Sequence, residues 1–463
     1  MQRKWRVTLI VVAGVFMASL DLFIVNIAFP EIAKDYDGVS LPTLSWVLNA
    51  YAIVFAALLV PAGRWADAFG RRRIFLTGLV VFALASLACA LAPSVEVLVA
   101  ARVIQAGGGA LLLPTSLGLM LPEFAPQQRG VAIGIWAATG GVAAAAGPPL
   151  GGLLVEVDWR LVFLVNLPVA LVALLAGART LREIREPSAL RPDVLGALLL
   201  VGAVAALTVG IVEGPTWGWD STRVVAAFVA SVVLFAAVAR RSLDHQSPVI
   251  DPAMVRIRGF SIAVAASLIF FVGFAAMLLS GVLFTTGVWA EDVLTAGLML
   301  APGPAMAATF SIPSARLASR LGYRATGLLG SLLFALAAVW WLTHVSATPD
   351  YAGDYLPGML VSGIGVGLLL PTLTGAGAAS LPAARFSTGI AVVTMGRQIG
   401  SALGVAVLVA LLGSGPPTVT DFHGAWWLMI GAAAGTGATL WMLGAREREP
   451  LFAAPAAAVE VAR

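Results

Sequence analysis

The chain has 463 residues, of which 60% are hydrophobic and only 11% charged, with a mean hydropathy of +0.95. A soluble domain carries about 25% charged residues, so a water-soluble fold is excluded, and the net charge of +4 reflects loop placement, not a nucleic-acid partner. One cysteine and three histidines exclude a disulfide framework and a metal site, and with lysine only at Lys4 and Lys34 there is no Walker loop to bind ATP.

Hydropathy divides the chain into fourteen spans of about 20 residues each. The first, 7–29, follows Arg3, Lys4 and Arg6 and reaches Pro30 with no small-residue cleavage site. It therefore reads as an uncleaved membrane helix and not as a signal peptide. Asp21 stands alone within it, with Asn26 five residues on. A carboxylate there costs roughly 2.5–3.5 kcal/mol on insertion scales. Use by a proton, ion or substrate explains such a cost; the plainer alternative is a hydrogen bond that only holds the bundle together. Span 45–63 begins at Trp46, Asn49 and Tyr51 and runs into Gly63-x-x-x-Asp67-x-x-Gly70-Arg71-Arg72-Arg73. Span 74–93 comes next, then 96–121 with Arg102, Gln105 and three consecutive glycines. No strand–turn–helix surrounds those glycines, so they do not form a nucleotide loop.

Span 130–155 carries Gly147-Pro148-Pro149-Leu150-Gly151-Gly152, and Asp158-Trp159-Arg160 precedes span 161–178. Spans 193–212 and 223–240 come next; Glu213, at the outer end of the former, is expected to snorkel to the interface. The remaining spans are 260–285, 293–313, 325–344, 355–380, 387–413 and 424–444, with Arg397 and Gln398 inside the thirteenth. Trp340, Trp341, Trp426 and Trp427 suit interfacial belts.

Charge placement tests the count. An even number of spans puts both termini on one side, and twenty-three of the 28 basic residues then fall on that side. Only Lys34, Arg160 and Arg223 fall on the other, so the positive-inside rule makes both termini cytoplasmic, in a cell membrane. Lysine-poor, Ala- and Arg-rich usage points to a high-GC bacterium, and hence to its inner membrane.

An internal repeat is visible. Gly108-Gly-Ala-Leu-Leu-Leu-Pro-Thr115 returns as Gly365-Val-Gly-Leu-Leu-Leu-Pro-Thr372, and Gly63–Arg72 is echoed by Ala315–Arg324, at offsets of 257 and 252. The expected architecture is an all-α polytopic membrane protein: a six-helix bundle over 1–178, a linker over 179–258 with two extra helices, a second six-helix bundle over 259–444 and a tail over 445–463. Repeated bundles with a site between them mark secondary transporters.

These motifs resemble the major facilitator superfamily, and within it the fourteen-span drug:proton antiporter branch. Gly63, Asp67, Gly70, Arg71, Arg72 and Arg73 match the loop that, in the family, latches the outward-open state. The family's basic residue after the aspartate is here Ala68, which implies a weaker latch, and the second copy has Ser319 in place of the aspartate. Arg102-x-x-Gln105 resembles the family's fourth-span motif, and Gly147, Pro148, Gly151 and Gly152 resemble the antiporter motif of its exporters. Segments at Asp21–Pro30, Trp46–Tyr51, Asp158–Pro168 and Arg397–Gly404 resemble motifs of the fourteen-span branch.

At about 1.5 Å per residue, Asp21 and Arg102 lie roughly 14 and 9 Å below the outer surface, close enough for an ion pair. Asp21, Arg102 and Gln105 are therefore the expected proton-coupling set, with a fixed bridge that orients span 4 as the alternative for Arg102. Asn26, Trp46, Asn49, Tyr51, Arg397 and Gln398 are candidate cavity residues. Arg397 has two readings, facing substrate or satisfying the carbonyls of a kinked neighbour. The expected function is non-enzymatic: proton-coupled export of a hydrophobic or amphipathic small molecule by a monomer, with the proton as coupling ion and no other cofactor. With no acidic residue deep in spans 9–14, neutral or monocationic compounds are favoured over dications. An importer of the same fold and a non-transporting membrane sensor are the alternatives.

Overall fold

A computed structural model describes residues 2–36, 39, 41–185, 193–246, 248–382, 386–412 and 418–443. The expected tail at 445–463 lies outside them. Helices α1 (Arg3–Asp35), α2 (Leu41–Phe69), α3 (Arg71–Ala90), α4 (Val95–Met120), α5 (Arg129–Val155), α6 (Leu161–Leu164) and α7 (Asn166–Thr180) make the first group. After them come α8 (Val194–Trp217), α9 (Thr222–Asp244) and the short α10 (Pro252–Arg256). The last group is α11 (Arg258–Gly287), α12 (Val293–Leu300), α13 (Pro302–His344), α14 (Leu356–Ala379), α15 (Phe386–Leu412) and α16 (Val419–Trp441).

Twelve segments among the described residues are long and apolar enough to cross a membrane. One of them, Thr295–His344, is 50 residues long, too long for one crossing of a hydrocarbon core about 30 Å thick. It breaks at Gly322, whose φ of 84° lies in the left-handed region, so it holds two crossings where the sequence suggests a loop near 314–324. A further helix of membrane length, α16, has its apolar run diluted by Gly, Thr and His.

The repeat seen in the sequence is a repeat of packing. In the first half, a Cβ on Gly108 would meet the backbone nitrogen of Phe82 at 2.6 Å, and one on Gly78 would meet the carbonyl of Gly108 at 3.0 Å. In the second half, a Cβ on Gly365 would meet the backbone nitrogen of Phe334 at 2.8 Å, and one on Gly330 the carbonyl of Gly365 at 3.0 Å. The α3–α4 crossing is thus rebuilt at α13–α14, residue for residue. The two sharp turns correspond as well: Gly70 has φ 111° between α2 and α3, as Gly322 has between the two halves of α13.

The halves meet along α5–α13 and α2–α15. Glycines on α5 allow the first approach, since a Cβ on Gly134 would meet the Ser311 carbonyl at 2.8 Å. The end of the bundle that carries Arg71–Arg73 and Arg316–Arg324 is here termed the basic end. There one continuous apolar core joins Leu117, Leu119 and Leu121 of the first half to Phe260, Leu381 and Ile390–Val393 of the second. At the far end the halves keep separate cores, one around Ile24, Val47, Leu98 and Phe163 and the other around Phe284, Trp289 and Tyr355. Helices α8 and α9 form a hairpin tied by Arg241 donating to Asp193 at 2.7 Å, and α8 lies across the seam against both α2 and α15. Glu213 on α8 is 5% exposed, so it is held inside and does not snorkel. Trp341 and Trp426 are likewise core residues and not belt residues; the Trp341 indole donates to the Tyr355 carbonyl at 3.0 Å.

The α3–α4 crossing predicts a contrast between two substitutions. Gly108→Ala places a methyl against rigid backbone and is expected to destabilise by about 1–3 kcal/mol, whereas Gly140→Ala enters open space and should gain about 1 kcal/mol of helix propensity. Thermal unfolding of the purified protein in detergent separates the two.

Candidate functional site

Five helices converge on Asp21, whose side chain is 0% exposed. From α4, Arg102 Nη1 donates to Asp21 Oδ2 at 2.5 Å and to Gln105 Oε1 at 2.6 Å. Gln105 Nε2 donates in turn to Asp21 Oδ1 at 2.8 Å and to Ser86 Oγ of α3 at 2.8 Å. From α7, Asn166 Nδ2 reaches Asp21 Oδ1 at 3.3 Å and Ser86 at 3.4 Å. From α2, the Val47 carbonyl accepts from Arg102 Nε at 3.1 Å, and the Tyr51 ring lies 4.1 Å from the guanidinium carbon.

The sequence logic of this cluster is the helical period. Arg102 and Gln105 are three residues apart and so share one face of α4, and both turn to α1. Burying this pair removes two charges from water, a penalty that their attraction offsets only where the remaining lone pairs and protons find partners. Here both carboxylate oxygens accept bonds, and Arg102 finds a carboxylate, an amide oxygen, a backbone carbonyl and a ring.

Packing fixes α1 against the antiporter-type glycines. A Cβ on Gly147 would meet Phe23 Cβ at 2.6 Å, and one on Gly151 would meet Ile24 and Ile27 side chains at 3.1 Å. These contacts fall two to six residues beyond Asp21, so Gly147 and Gly151 set the distance between α5 and the helix that bears the carboxylate. Gly152 lies in the last turn of α5, and the side chain of Pro148 lies outside the described residues.

At the basic end, Asp67 is 2% exposed. Arg71 Nε donates to its Oδ1 at 3.0 Å, and Arg71 Nη1 donates to the Gly118 carbonyl at 2.9 Å. The other oxygen, Oδ2, accepts from the Thr388 hydroxyl at 2.9 Å and from its backbone N–H at 3.3 Å. Thr388 lies in the first turn of α15, where free backbone N–H groups favour an anion. Asp67 therefore bonds the first half to the second. Gly63 is buried one turn earlier in α2, and Gly70 ends that helix. Arg72 and Arg73 turn elsewhere: their backbone N–H groups donate to Glu183, and Arg72 Nη2 donates to the Ala178 carbonyl at 2.8 Å.

At the far end, Trp159 Nε1 donates to Asp35 at 3.0 Å and Arg160 pairs with it at 2.9 Å. The indole first and the guanidinium second hold the Asp35 carboxyl below its ordinary range.

Of the candidate cavity residues, Tyr51 is fully buried beside Arg102, and Trp46 is partly exposed next to Val47. The side chains of Asn26 and Asn49 lie outside the described residues. Arg397 lies over the Phe271 ring at 4.4 Å, in the half that does not carry Asp21, and Gln398 is partly exposed beside it. Ser86, Asn166 and Thr388 join the sites without having been singled out from sequence. Asn166 lay within a quoted motif, but nothing in sequence marked it as a partner of Asp21. Among the described residues no cluster of His, Cys, Asp and Glu could hold a metal ion.

The second half has no such cluster. At the repeat offsets Ser86 becomes Ala338, Arg102 becomes Met359, Gln105 becomes Ser362 and Asp67 becomes Ser319. Repeated helical halves, a buried charge network and a bond between the halves define a polytopic secondary transporter. Residues 11–405 match the Major Facilitator Superfamily, and the chain belongs to that family. It is 34% identical over 418 residues to the tetracenomycin C resistance and export protein of Streptomyces glaucescens, covering 89% of this chain and 76% of the relative. It is 36% identical over 414 residues to the puromycin resistance protein of Streptomyces alboniger, covering 88% and 81%. A methylenomycin A resistance protein of Bacillus subtilis is 31% identical over 452 residues, covering 94% and 93%. The fold is similar to that of the human organic anion transporter MFSD10, with TM-score 0.65 and 17% identity over 96% of this chain and 100% of that one.

Because removing one member of a buried pair strands the other charge, Arg102→Met is expected to cost about 3–5 kcal/mol. The double variant Asp21→Asn/Arg102→Met, which copies the apolar second half at one position, should recover most of that loss in thermal unfolding.

Proposed function

We propose that this protein exports hydrophobic or amphipathic small molecules of the antibiotic type in exchange for protons. Its relatives, named as antibiotic resistance and export proteins, support the cargo class. The observation that carries the coupling is the fully buried carboxylate of Asp21, held by Arg102, Gln105 and Asn166 on α4 and α7. While Asp21 is ionised, these donors are satisfied and the five helices are drawn together. A proton arriving on Asp21 removes the charge that holds Arg102, leaving the guanidinium with the Gln105 and Val47 oxygens and the Tyr51 ring. The first half then relaxes, and the two protonation states favour different arrangements of the halves.

Both termini lie in the cytoplasm in this reading, so the basic end is the cytoplasmic one. The shared apolar core and the Asp67–Thr388 bonds then seal the cytoplasmic side, an arrangement suited to releasing cargo outward and taking up a proton. Alternating access requires breaking the Asp67 bonds to Thr388 and reopening the α5–α13 and α2–α15 seams. The chain works as a single copy, with no cofactor besides the proton.

Everted membrane vesicles with an imposed pH gradient and a panel of dyes and antibiotics test direction and coupling together. Wild-type protein should accumulate at least one compound only while the gradient stands, and Asp21→Asn should abolish this. Full gradient-driven transport by Asp21→Asn sinks the coupling assignment, and gradient-driven loss of compound from the vesicles identifies an importer. For the latch, Thr388→Val removes the hydroxyl bond and should raise the labelling of cysteines placed along the cytoplasmic seam by several-fold, as expected for loss of about 1–2 kcal/mol of closure.

A further inference from the structure

Arg397 is the charge that the proton site does not use. It sits mid-helix on α15, whereas Arg258 and Asp421 lie in the first turns of α11 and α16, Arg316, Arg320 and Arg324 flank the break of α13 at Gly322, and Glu291, Asp292, Asp350 and Asp354 lie between helices. It is partly exposed on α15, the helix that packs against α11 within the second half and against α2 across the seam. Among the described residues its guanidinium has neither a carboxylate within ion-pair range nor a hydrogen-bond acceptor, and it lies over the face of Phe271 at 4.4 Å. Arg102, by contrast, is neutralised by Asp21.

A guanidinium carries five N–H donors in a planar fork that matches a carboxylate. Within a membrane-spanning helix and without an acceptor, such a charge is costly, and part of that cost is recovered when an anion arrives. The surroundings define the rest of that ligand. Phe271 packs edge-to-face with Phe270 and Phe274 at 5.4 and 5.3 Å, and Phe274 is partly exposed, so an aromatic surface borders the charge.

We infer that the cargo is an organic acid: a flat, conjugated ring system bearing a carboxylate or comparably acidic group, whose charge pairs with Arg397 while its ring lies along Phe271 and Phe274. This deepens the exporter reading and rests on it. It also departs from the preference for neutral or monocationic compounds drawn from the lack of acidic residues, because that argument did not count a positive charge without a partner.

The test is equilibrium binding to the purified full chain in detergent, read by energy transfer from tryptophan to pyrene. The probes are 1-pyrenebutyric acid, its methyl ester and 1-pyrenebutylamine, which share one ring and differ in charge. Wild-type protein should bind the acid about tenfold or more tighter than the ester, the size expected for one charge-assisted pair, and the amine weakest. Arg397→Gln should bring the acid down to the ester's affinity, and Arg397→Lys should keep part of the preference. Thermal unfolding checks that each variant is folded; if Arg397→Gln is not, the wild-type order of the three probes decides. Equal binding of acid and ester, tighter binding of the amine, equal weakening of all three probes by Arg397→Gln, or no binding of any probe overturns the inference. Direction and coupling do not enter this measurement, so failure of gradient-driven export in vesicles counts against the exporter reading alone.

Discussion

The buried pair of Asp21 and Arg102 constrains everything around it. Two opposite charges at 1% exposure or less tolerate no geometry in which either is left alone. That requirement explains why Gln105, Ser86, Asn166 and the Val47 carbonyl are where they are, and why α5 presents glycines to α1. Loosening the packing would admit water or lengthen the bonds, and either would weaken the pair. Close packing and charge pairing are therefore one problem in the first half of the molecule.

Helix α2 joins that problem to the movement of the halves. Its Val47 carbonyl holds Arg102, and twenty residues further on its Asp67 bonds Thr388 of the other half. At about 1.5 Å per residue the two points are some 30 Å apart along one helix, with Pro61 between them. A rigid element bonded at both ends passes a tilt from one end to the other, and the proline, which lacks an N–H, marks where it bends most easily. The physical warrant for linking the two ends is this shared element and not proximity, since the Asp21 cluster and the Asp67–Thr388 contact do not touch.

The parts legible in the sequence were those that break a pattern. A lone carboxylate in an apolar run, an arginine at matching depth and glycines at fixed spacing all stand out against a hydrophobic background. So do the two copies of one motif, which the structure shows as two copies of one helix crossing. What stayed hidden lacked contrast. Ser86 and Asn166 are small polar residues of a kind common in membrane helices, and their role appears only when α3 and α7 close on α1. Thr388 is 321 residues from Asp67, and no local pattern announces a contact across the two halves. Gly322 falls in the gap that hydropathy leaves between spans 293–313 and 325–344, yet a single left-handed glycine lets helix continue on both sides. Trp341 and Trp426 were misplaced for a related reason: position near a span's end fixes depth in the membrane but not which way the ring faces.

The matching glycine contacts at the α3–α4 and α13–α14 crossings make the chemical divergence of the two halves more informative. The scaffold was kept, while Ser86, Arg102, Gln105 and Asp67 have Ala338, Met359, Ser362 and Ser319 as counterparts. One half holds the buried Asp21–Arg102 network, and the other carries neither its arginine nor its glutamine at the matching positions. Substitutions in the second half can therefore accumulate without stranding a buried charge. Such a molecule is open to evolutionary retuning: a lineage can change one side while the charge network of the other is inherited intact.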